Sequence, residues 1–566
     1  MQDRTIFKTV RPSESFAPQI DLLKIHHFDN RAKMTSLKAL QVHMRCETVV
    51  ELNLPFDQSI SQLNIEQKAI PYNKHDVKRT KEFALISLPN INFRIGLIDQ
   101  LGPNCINYND TKIGTKILEE RLGRDLCFEL DGWTPRQTFR NRVALDDIIF
   151  PYIRFQNSEF ARVLSWMKQQ TLTGTPVQTK GVFTELTAAV GGLNFDFGTG
   201  GIHGSLENLV VVSDNEWSIN DIDVASLYPS IAIVNELYPE HLGKRFVFEY
   251  AQLPIERKKY KKGTVQNAAL KLSANGTYGN FNNIYSPFYD PQCAMTITIN
   301  GQLMICMLAE WLLTVPSLQL LQANTDGITY RIQRRHLPQA REIQKAWEAY
   351  TRLTLEEVEY KRMWLKNVSN YIAEKLDGTL KLKGEAYWYP EKFPDDISNA
   401  SPSSWHKNLS NLVSTMAAVA HMTNGVPIDQ YIRECKDPYL FMICEKVQRG
   451  AYFCIGSERT QKVLRYYIAN KDGEPLHKIM PPAGPEGEYK RKNGLSDYEY
   501  QRIKETVPAG VHDERIHTKN KSRYEIRQST FHAGFGVIDC CDVARFDFTK
   551  VNYEYYEQEA RKLVIT

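Results

Sequence analysis

The sequence lacks paired cysteines. Cys46, Cys105, Cys127, Cys293, Cys306, Cys435, Cys444, Cys454, Cys540 and Cys541 include no C-x-x-C and no zinc-like spacing with histidine. That excludes the zinc-ribbon and zinc-finger scaffolds. Cys540 and Cys541 are adjacent and poorly placed to bridge each other, so the reading is reduced thiols in a cytoplasmic setting. No secretory leader is expected at residues 1–10, which mix Asp3, Arg4 and Lys8 with few apolar side chains. No apolar run of membrane length is left unbroken. The greasiest stretch, 293–321, is interrupted by Asn300, Gly301, Glu310 and Pro316, and reads as a buried helix followed by a strand, with no membrane partner. Internal repeats and low-complexity tracts are absent. Net charge is small, +4 from 70 basic and 66 acidic side chains, which neither demands nor excludes a nucleic-acid partner. Local clusters must decide.

What is present is a chain of 566 residues, too long for one core, so three to four compact units are expected at about 150 residues each. An apolar share of 42% and a charged share of 24% are those of a soluble globular protein. Residues 36–42 and 66–84 look helical, and 171–181 reads as an inter-domain link. A Gly-rich loop follows at 198–204, then strands over 206–224. Residues 245–280 read as helix, a turn at Gly263, and helix. After about 400 the chain is more basic, with Lys490, Arg491, Lys492, Arg515, Lys519, Lys521, Arg523 and Arg527. The class is α+β with a central sheet carrying the chemistry.

Three segments carry that chemistry. In Asp221-Ile-Asp223-Val-Ala-Ser-Leu-Tyr228-Pro-Ser, an alternating run ends at Asp223 and Pro229 sits where a first helical turn starts. A strand end before a helix start offers a carboxylate to a metal and free N–H groups to a phosphate. The bland alternative is a solvated Asp before a helix. In Leu320-Leu-Gln-Ala-Asn324-Thr325-Asp326-Gly327, two β-runs flank a hairpin turn with Asp326 at its tip. Two carboxylates, each ending a sheet element, are what a two-metal displacement needs. In the helical pair, Arg257 and Lys261 are expected to share a face, and Lys271, Asn275 and Tyr278 a second one, as cations clamping a triphosphate. An exposed basic hairpin is the bland alternative there.

Together these segments resemble family B DNA polymerases, most of all bacteriophage members. Residues 223–230 look like motif A, Lys271-Leu-Ser-Ala-Asn275-Gly-Thr-Tyr278-Gly279 like motif B, and Asn324-Thr-Asp326 sits where motif C has Asp-Thr-Asp. They occur in the family's order, with 103 residues from Asp223 to Asp326. The resemblance implies a right-hand polymerase of palm, fingers and thumb with a partial ribonuclease H-like exonuclease domain. The expected units are 1–110 (exonuclease-derived), 111–185 (connection), 186–250 (palm, motif A), 251–285 (fingers, motif B), 286–400 (palm, motif C) and 401–566 (thumb).

It also implies roles. Asp223 and Asp326, with the Val224 carbonyl, would hold two Mg²⁺ ions, for which Mn²⁺ can substitute. Ser226, Leu227, Tyr228, Arg257, Lys261, Lys271 and Asn275 would bind the dNTP, with Tyr228 blocking a ribose 2′-OH. Gly200, Gly201, Tyr278, Gly279, Thr325, Lys366, Tyr371, Lys383 and Gly384 would contact primer-template DNA. Phage replication proteins are possible accessory partners, and the setting would be a bacterial host's cytoplasm. The family's template-gripping tyrosine falls at Gly198, beside Phe197; its primer-gripping lysine falls at Ser369; and Asn324 replaces the first acid of motif C. Only 40 residues separate Ser230 from Lys271, too few for the insertion of protein-primed members, so an ordinary primer is expected.

Tyr72 and Asp76 in Tyr72-Asn-Lys-His-Asp76-Val resemble the third exonuclease motif. No Asp-x-Glu precedes residue 76, and Phe28-Asp29 lies only 47 residues before Asp76, so loss of proofreading is expected. Two other readings compete. Asp221-Ile-Asp223 is also the D-x-D of metal-dependent glycosyltransferases, and a polymerase-derived scaffold can bind DNA without catalysis.

Overall fold

The computed structural model describes residues 19–52, 61–174, 177, 181–384, 387, 402, 405–407, 410–447, 451–470, 472–480 and 527–566. The basic residues at 490–492 and 515–523 lie outside them. The chain divides into two compact units, one of Met1–Met34, Ile86–Asp395 and Val564–Thr566, the other of Thr35–Leu85 and Asp396–Leu563. This departs from the expected boundaries: residues 35–85 group with the C-terminal part of the chain, not with 86–110.

The first unit is organised by a ten-stranded sheet. Its strands are β1 (Thr187–Val190), β2 (Leu193–Phe197), β3 (Ile202–Ser205), β4 (Leu209–Val212), β5 (Trp217–Val224), β6 (Gln319–Asn324), β7 (Gly327–Gln333), β8 (Leu355–Asn367), β9 (Asn370–Lys375) and β10 (Leu380–Lys383). The spatial order is β10-β9-β8-β5-β7-β6-β3-β2-β1, with β4 also paired to β8. Every pairing is antiparallel. The central strand β5 is buried along nearly its whole length, as a strand covered on both faces must be.

The unit also holds helices α1 (Asp110–Leu122), α2 (Leu227–Val234), α3 (Gly243–Arg257), α4 (Val265–Asn280), α5 (Pro291–Leu312) and α6 (Leu337–Thr351), of which α1, α3 and α4 pack against one another. Helix α5 is the expected greasy segment. It is long and apolar enough to cross a membrane, yet 94% of that apolar window is buried within the protein, as a core helix should be. Its two central amides are satisfied by distant backbone. Asn300 bonds the Phe150 N–H and the Ile148 carbonyl, and Gln302 bonds both backbone groups of Gly198.

The turn at Gly263 and the two helices around it are as the sequence implies, with Gly263 at φ 91°. Helix α4 is capped by Thr264, whose hydroxyl accepts from Asn267 N–H. Helix α3 ends at Arg257, so Lys261 lies in the turn and the two do not share a helical face. The Lys261 carbonyl accepts from the Thr264 N–H and hydroxyl, which closes the turn before a further helical turn can form. The expected link at 171–181 is also part structure: Thr171–Thr173 pairs with Arg142–Ala144.

In the second unit, the helix Leu37–His43 is capped by Ser36, and 62–86 is helical throughout, with a π-helical stretch at Ile65–Ala69. Buried Arg465 explains the grouping. Its guanidinium donates to the carbonyls of Cys46, Glu47, Cys540 and Cys541, joining segments about 420 and 75 residues away. Five donors in one rigid fork can satisfy several orphan carbonyls at once, and a sequence pattern does not announce that.

Candidate active site

The two candidate carboxylates arrive on neighbouring strands. Asp223 lies at the end of β5, directly opposite Gly327 at the start of β7. Asp326 is at the tip of the β6–β7 hairpin, and its carbonyl accepts from Val224 N–H at 2.7 Å. A Cβ at position 327 would lie 1.9 Å from Asp223 Oδ1, so glycine there keeps room for the carboxylate. Burial, then the nearby charge of Asp221, raise Asp223 to about 6; Lys381 and Lys383 pull it back and Asp326 adds to the rise. Burial raises Asp326 as well. Neither has an ion-pair partner among the described residues.

Asp221, two residues earlier on the same face of β5, is in the opposite condition. Its carboxylate accepts from Thr329 Oγ1 at 2.7 Å, Tyr360 OH at 2.6 Å and Lys381 Nζ at 2.9 Å. It is a buried ion pair with both oxygens engaged by side chains of the protein. That argues against the D-x-D of a glycosyltransferase, which needs both acids for metal and diphosphate. Lys381, Tyr360 and Thr329 were not singled out from the sequence. The available signal was alternation: in Leu380-Lys-Leu-Lys383 the two lysines lie on one face of β10.

Around the carboxylates the structure gathers side chains from four separate segments. Thr325, at φ 43°, gives its N–H to the Ile202 carbonyl, and its hydroxyl lies 3.3 Å from His203 Nε2. Gly201 lies against the Thr325 side chain. The Tyr228 hydroxyl donates to the Gly200 carbonyl, and its ring meets that of Tyr278 with centroids 4.4 Å apart. The Gly-rich loop, the strand-to-helix step, the helical stripe and the hairpin therefore meet at one place. Ser226 takes a left-handed φ of 49°, and no side chain caps the start of α2. Its first N–H groups are thus left available to an anion.

The cations are placed less tightly. Lys271 and Asn275 are exposed on the same stripe of α4 as half-buried Tyr278. Gly279 is exposed beside them. Arg257 reaches Asn267 Oδ1 at 3.5 Å, while Asn267 donates to the carbonyls of Arg257 and Tyr260. No hydrogen bond or ion pair among the described residues ties Arg257, Lys261 or Lys271 to Asp223 or Asp326. Tyr371 is buried, its ring 5.9 Å from Lys381 Nζ, and is a support for that lysine. Lys366 is on β8, and Lys383 is exposed at the end of β10. A Cβ at Gly384 would lie 2.2 Å from Asn370 Oδ1, so this glycine packs onto the β8–β9 turn.

The residues fit a divalent cation that prefers oxygen ligands: two adjacent carboxylates, one half-buried and one reaching solvent, neither in an ion pair among the described residues. No group of three or more His, Cys, Asp or Glu among the described residues is placed to hold a metal. A cation here would complete its shell with backbone, water or substrate oxygens.

The exonuclease-like pair, in the second unit, is arranged differently. Tyr72 and Asp76 do share a face, and the phenol bonds the Asp76 carboxylate; burial and that bond push Tyr72 up to about 12. But Asp76 is ion-paired to the nearly buried Lys38, whose ammonium also sits 4.4 Å from the Tyr72 ring centroid.

No family model and no curated protein matches this chain. Among solved structures, it is similar to the family B DNA polymerase of the hyperthermophilic archaeon Pyrobaculum calidifontis, at 12% identity over 80% of this chain, with a TM-score of 0.37. The match covers 58% of that polymerase, less than two thirds of its length. The reading of the site rests on the geometry above.

Proposed function

We propose that this chain is a DNA-directed DNA polymerase that extends a primer on a DNA template with dNTPs. The observation that carries this is the pairing of Asp223 and Asp326 as unneutralised carboxylates on adjacent strand ends, one step from the open N-terminus of α2. In this reading the first unit holds palm and fingers, and Asp223 and Asp326 would hold two Mg²⁺ ions. The ions would supply charge stabilisation for the attacking 3′-oxygen and the leaving pyrophosphate. The chain's own groups position the substrate. Ser226, Leu227 and Tyr228 offer backbone at the α2 start for the triphosphate, with Lys271 and Asn275 on the exposed stripe of α4. Tyr228, fixed by Gly200 and Tyr278, forms a rigid floor under the sugar and leaves no space for a 2′-OH. The Lys381–Asp221–Tyr360 cluster orients Lys381 beside the acids. A phage replication role follows from the resemblance of the motifs alone. Proofreading is not part of the proposal, because Lys38 takes the charge of Asp76.

The test is single-turnover extension of a labelled primer with Mg²⁺ and dNTPs. Wild type extends it; Asp223→Asn and Asp326→Asn do not, while still binding primer-template. Near-normal extension by either variant would sink the assignment. Binding without extension by the wild type would favour the non-catalytic scaffold.

A further inference from the structure

A second feature of the first unit lies outside this site. A cleft of about 480 Å³ opens between the segment 128–135, the end of α4 and the start of α1. That volume suits a small organic group or a nucleotide. Its rim carries two aromatic rings that the fold leaves in water: Trp133 and Tyr285 are each 82% exposed.

Mobile loops often expose aromatic rings, but these two segments are held fast. Phe128 bridges Pro135, and Asp131 accepts from the N–H groups of Trp133 and Thr134 and from the Thr134 hydroxyl. Arg124 donates to the Gly132 carbonyl and sits 5.5 Å from the Trp133 ring centroid. The Tyr285 N–H donates to Asn283 Oδ1. Gln137 then joins the two segments, giving its amide to the carbonyls of Ile284 at 2.7 Å and Ser286 at 2.9 Å. Ordering exposed aromatic rings costs free energy that folding does not return, so a built frame holding them points to a ligand with flat faces.

The cleft also carries charge, two lysines and the acid Glu119. Lys112 and Lys116 line it from successive turns of α1, and Lys116 is paired with Glu119. Burial and then the charge of Lys116 lower Lys112, while Glu119 opposes the shift. Crowding of like charges is relieved by an anion. Flat faces and negative charge together are the chemistry of nucleotides, and two aromatic platforms exceed what one nucleotide needs.

We propose that this cleft binds single-stranded nucleic acid, its bases stacking on Trp133 and Tyr285 and its phosphates met by Lys112. The choice of a strand over another anionic aromatic ligand rests on the polymerase reading, which requires unpaired template bases; the built cleft does not. The cleft adjoins the end of α4 at Asn280.

The experiment measures binding of a fluorescent oligo-dT strand by anisotropy, to wild type and to Trp133→Ala, Tyr285→Ala and the double variant. Each single change should weaken binding about tenfold, since stacking on one aromatic accounts for roughly that much. Trp133→Phe should keep most of it. Lys112→Ala should reduce the slope of log affinity against log salt by about one phosphate. Both rings are exposed, so thermal melts should be unchanged. Unaltered affinity in the double variant overturns the proposal, as does equal loss on blunt duplex. Competition by free dTMP at concentrations matching the strand would assign the cleft to a nucleotide and overturn it too. Asp326→Asn should bind the strand normally, so a failure of extension and a failure of this site are read separately.

Discussion

Each unit of the molecule holds aspartates where the sequence suggests a metal site, and the two units meet that charge differently. In the second unit Asp76 accepts from Tyr72 and carries its own counter-ion, the ammonium of Lys38. In the first unit Asp223 and Asp326 face each other with no ion-pair partner among the described residues, and burial raises both. A protein supplies a buried lysine when the carboxylate is there to hold the fold. It leaves a pair of acids crowded when something from outside is to bring the charge. Strand β5 shows both behaviours: two residues from Asp223, Asp221 is committed to Thr329, Tyr360 and Lys381.

The sharpest break of the comparison is to remove one acid from each unit and follow metal as well as activity. Asp326→Asn or Asp223→Asn should lower extension by about three orders of magnitude, the several kcal/mol that a metal clamp contributes. Mn²⁺ should raise the melting temperature of wild type and of Asp76→Ala, and not of either first-unit variant. Because a proton competes with the metal, Asp223 at about 6 implies that metal binding weakens as pH falls through 6. Metal stabilisation lost in Asp76→Ala but kept in Asp326→Asn would reverse the assignment of the two sites.

Next in size is the lysine that closes the second unit. Lys38→Met leaves Asp76 with no ammonium, and breaking a buried pair costs about 3–5 kcal/mol. Asp76 keeps 23% of its side-chain surface in water, which reduces the expected cost to about 2 kcal/mol. Faster amide exchange across the helix Ile70–Ile86 is the readout. Lys38→Met with Asp76→Leu should recover most of the loss, since a matched apolar pair replaces an ion pair well. If Lys38→Met instead yields a Mn²⁺-dependent 3′→5′ nuclease, the lysine is a plug on a working site and the comparison fails.

Much of this contrast could be read along the chain, and the unreadable part has a common cause. The hairpin tip at Asp326, the strand end at Asp223, the helix start after it and the turn at Gly263 are local patterns, each set within about ten residues. Tyr72 and Asp76 on one face followed from helical spacing. The partners of Asp221 did not, because Tyr360 and Lys381 come from 139 and 160 residues away. The same holds for Lys38 and for Arg465, whose fork joins chain segments that nothing in periodicity relates. Lys261 was misplaced for a smaller reason: helical spacing continued on paper past Arg257, while Thr264 closed the turn in space.

Tyr228 tests whether the open site is rigid as well as without an ion-pair partner. Its hydroxyl is fixed on Gly200 and its ring on Tyr278. Tyr228→Ala should raise the use of ribonucleotides relative to deoxyribonucleotides at least tenfold, about 1.4 kcal/mol of discrimination. Tyr228→Phe keeps the ring and loses only the bond to Gly200, so it should stay close to wild type. An unchanged ratio in Tyr228→Ala, with dNTP use preserved, would make the ring a packing residue.

The smallest effect is expected at Asn324. It occupies the first position of the Asn-Thr-Asp tip, where a third acid would sharpen the contrast with the second unit. Its backbone is fixed regardless of side chain: it pairs with Gly327 across the hairpin and with His203 on β3, and its carbonyl accepts from Asp326 N–H. Its side-chain oxygen lies 3.5 Å from the Thr325 hydroxyl, at the edge of hydrogen-bonding range. The amide therefore contributes little to placing Asp326, and Asn324→Ala should reduce extension no more than about threefold, under 1 kcal/mol. Asn324→Asp adds a third negative charge to two acids already raised by burial. Without metal it should destabilise the protein, and Mn²⁺ should then restore more stability than it gives the wild type. If Asn324→Ala proves as damaging as Asp326→Asn, the neutral amide is a ligand in its own right, and the site uses three hairpin and strand residues instead of two carboxylates.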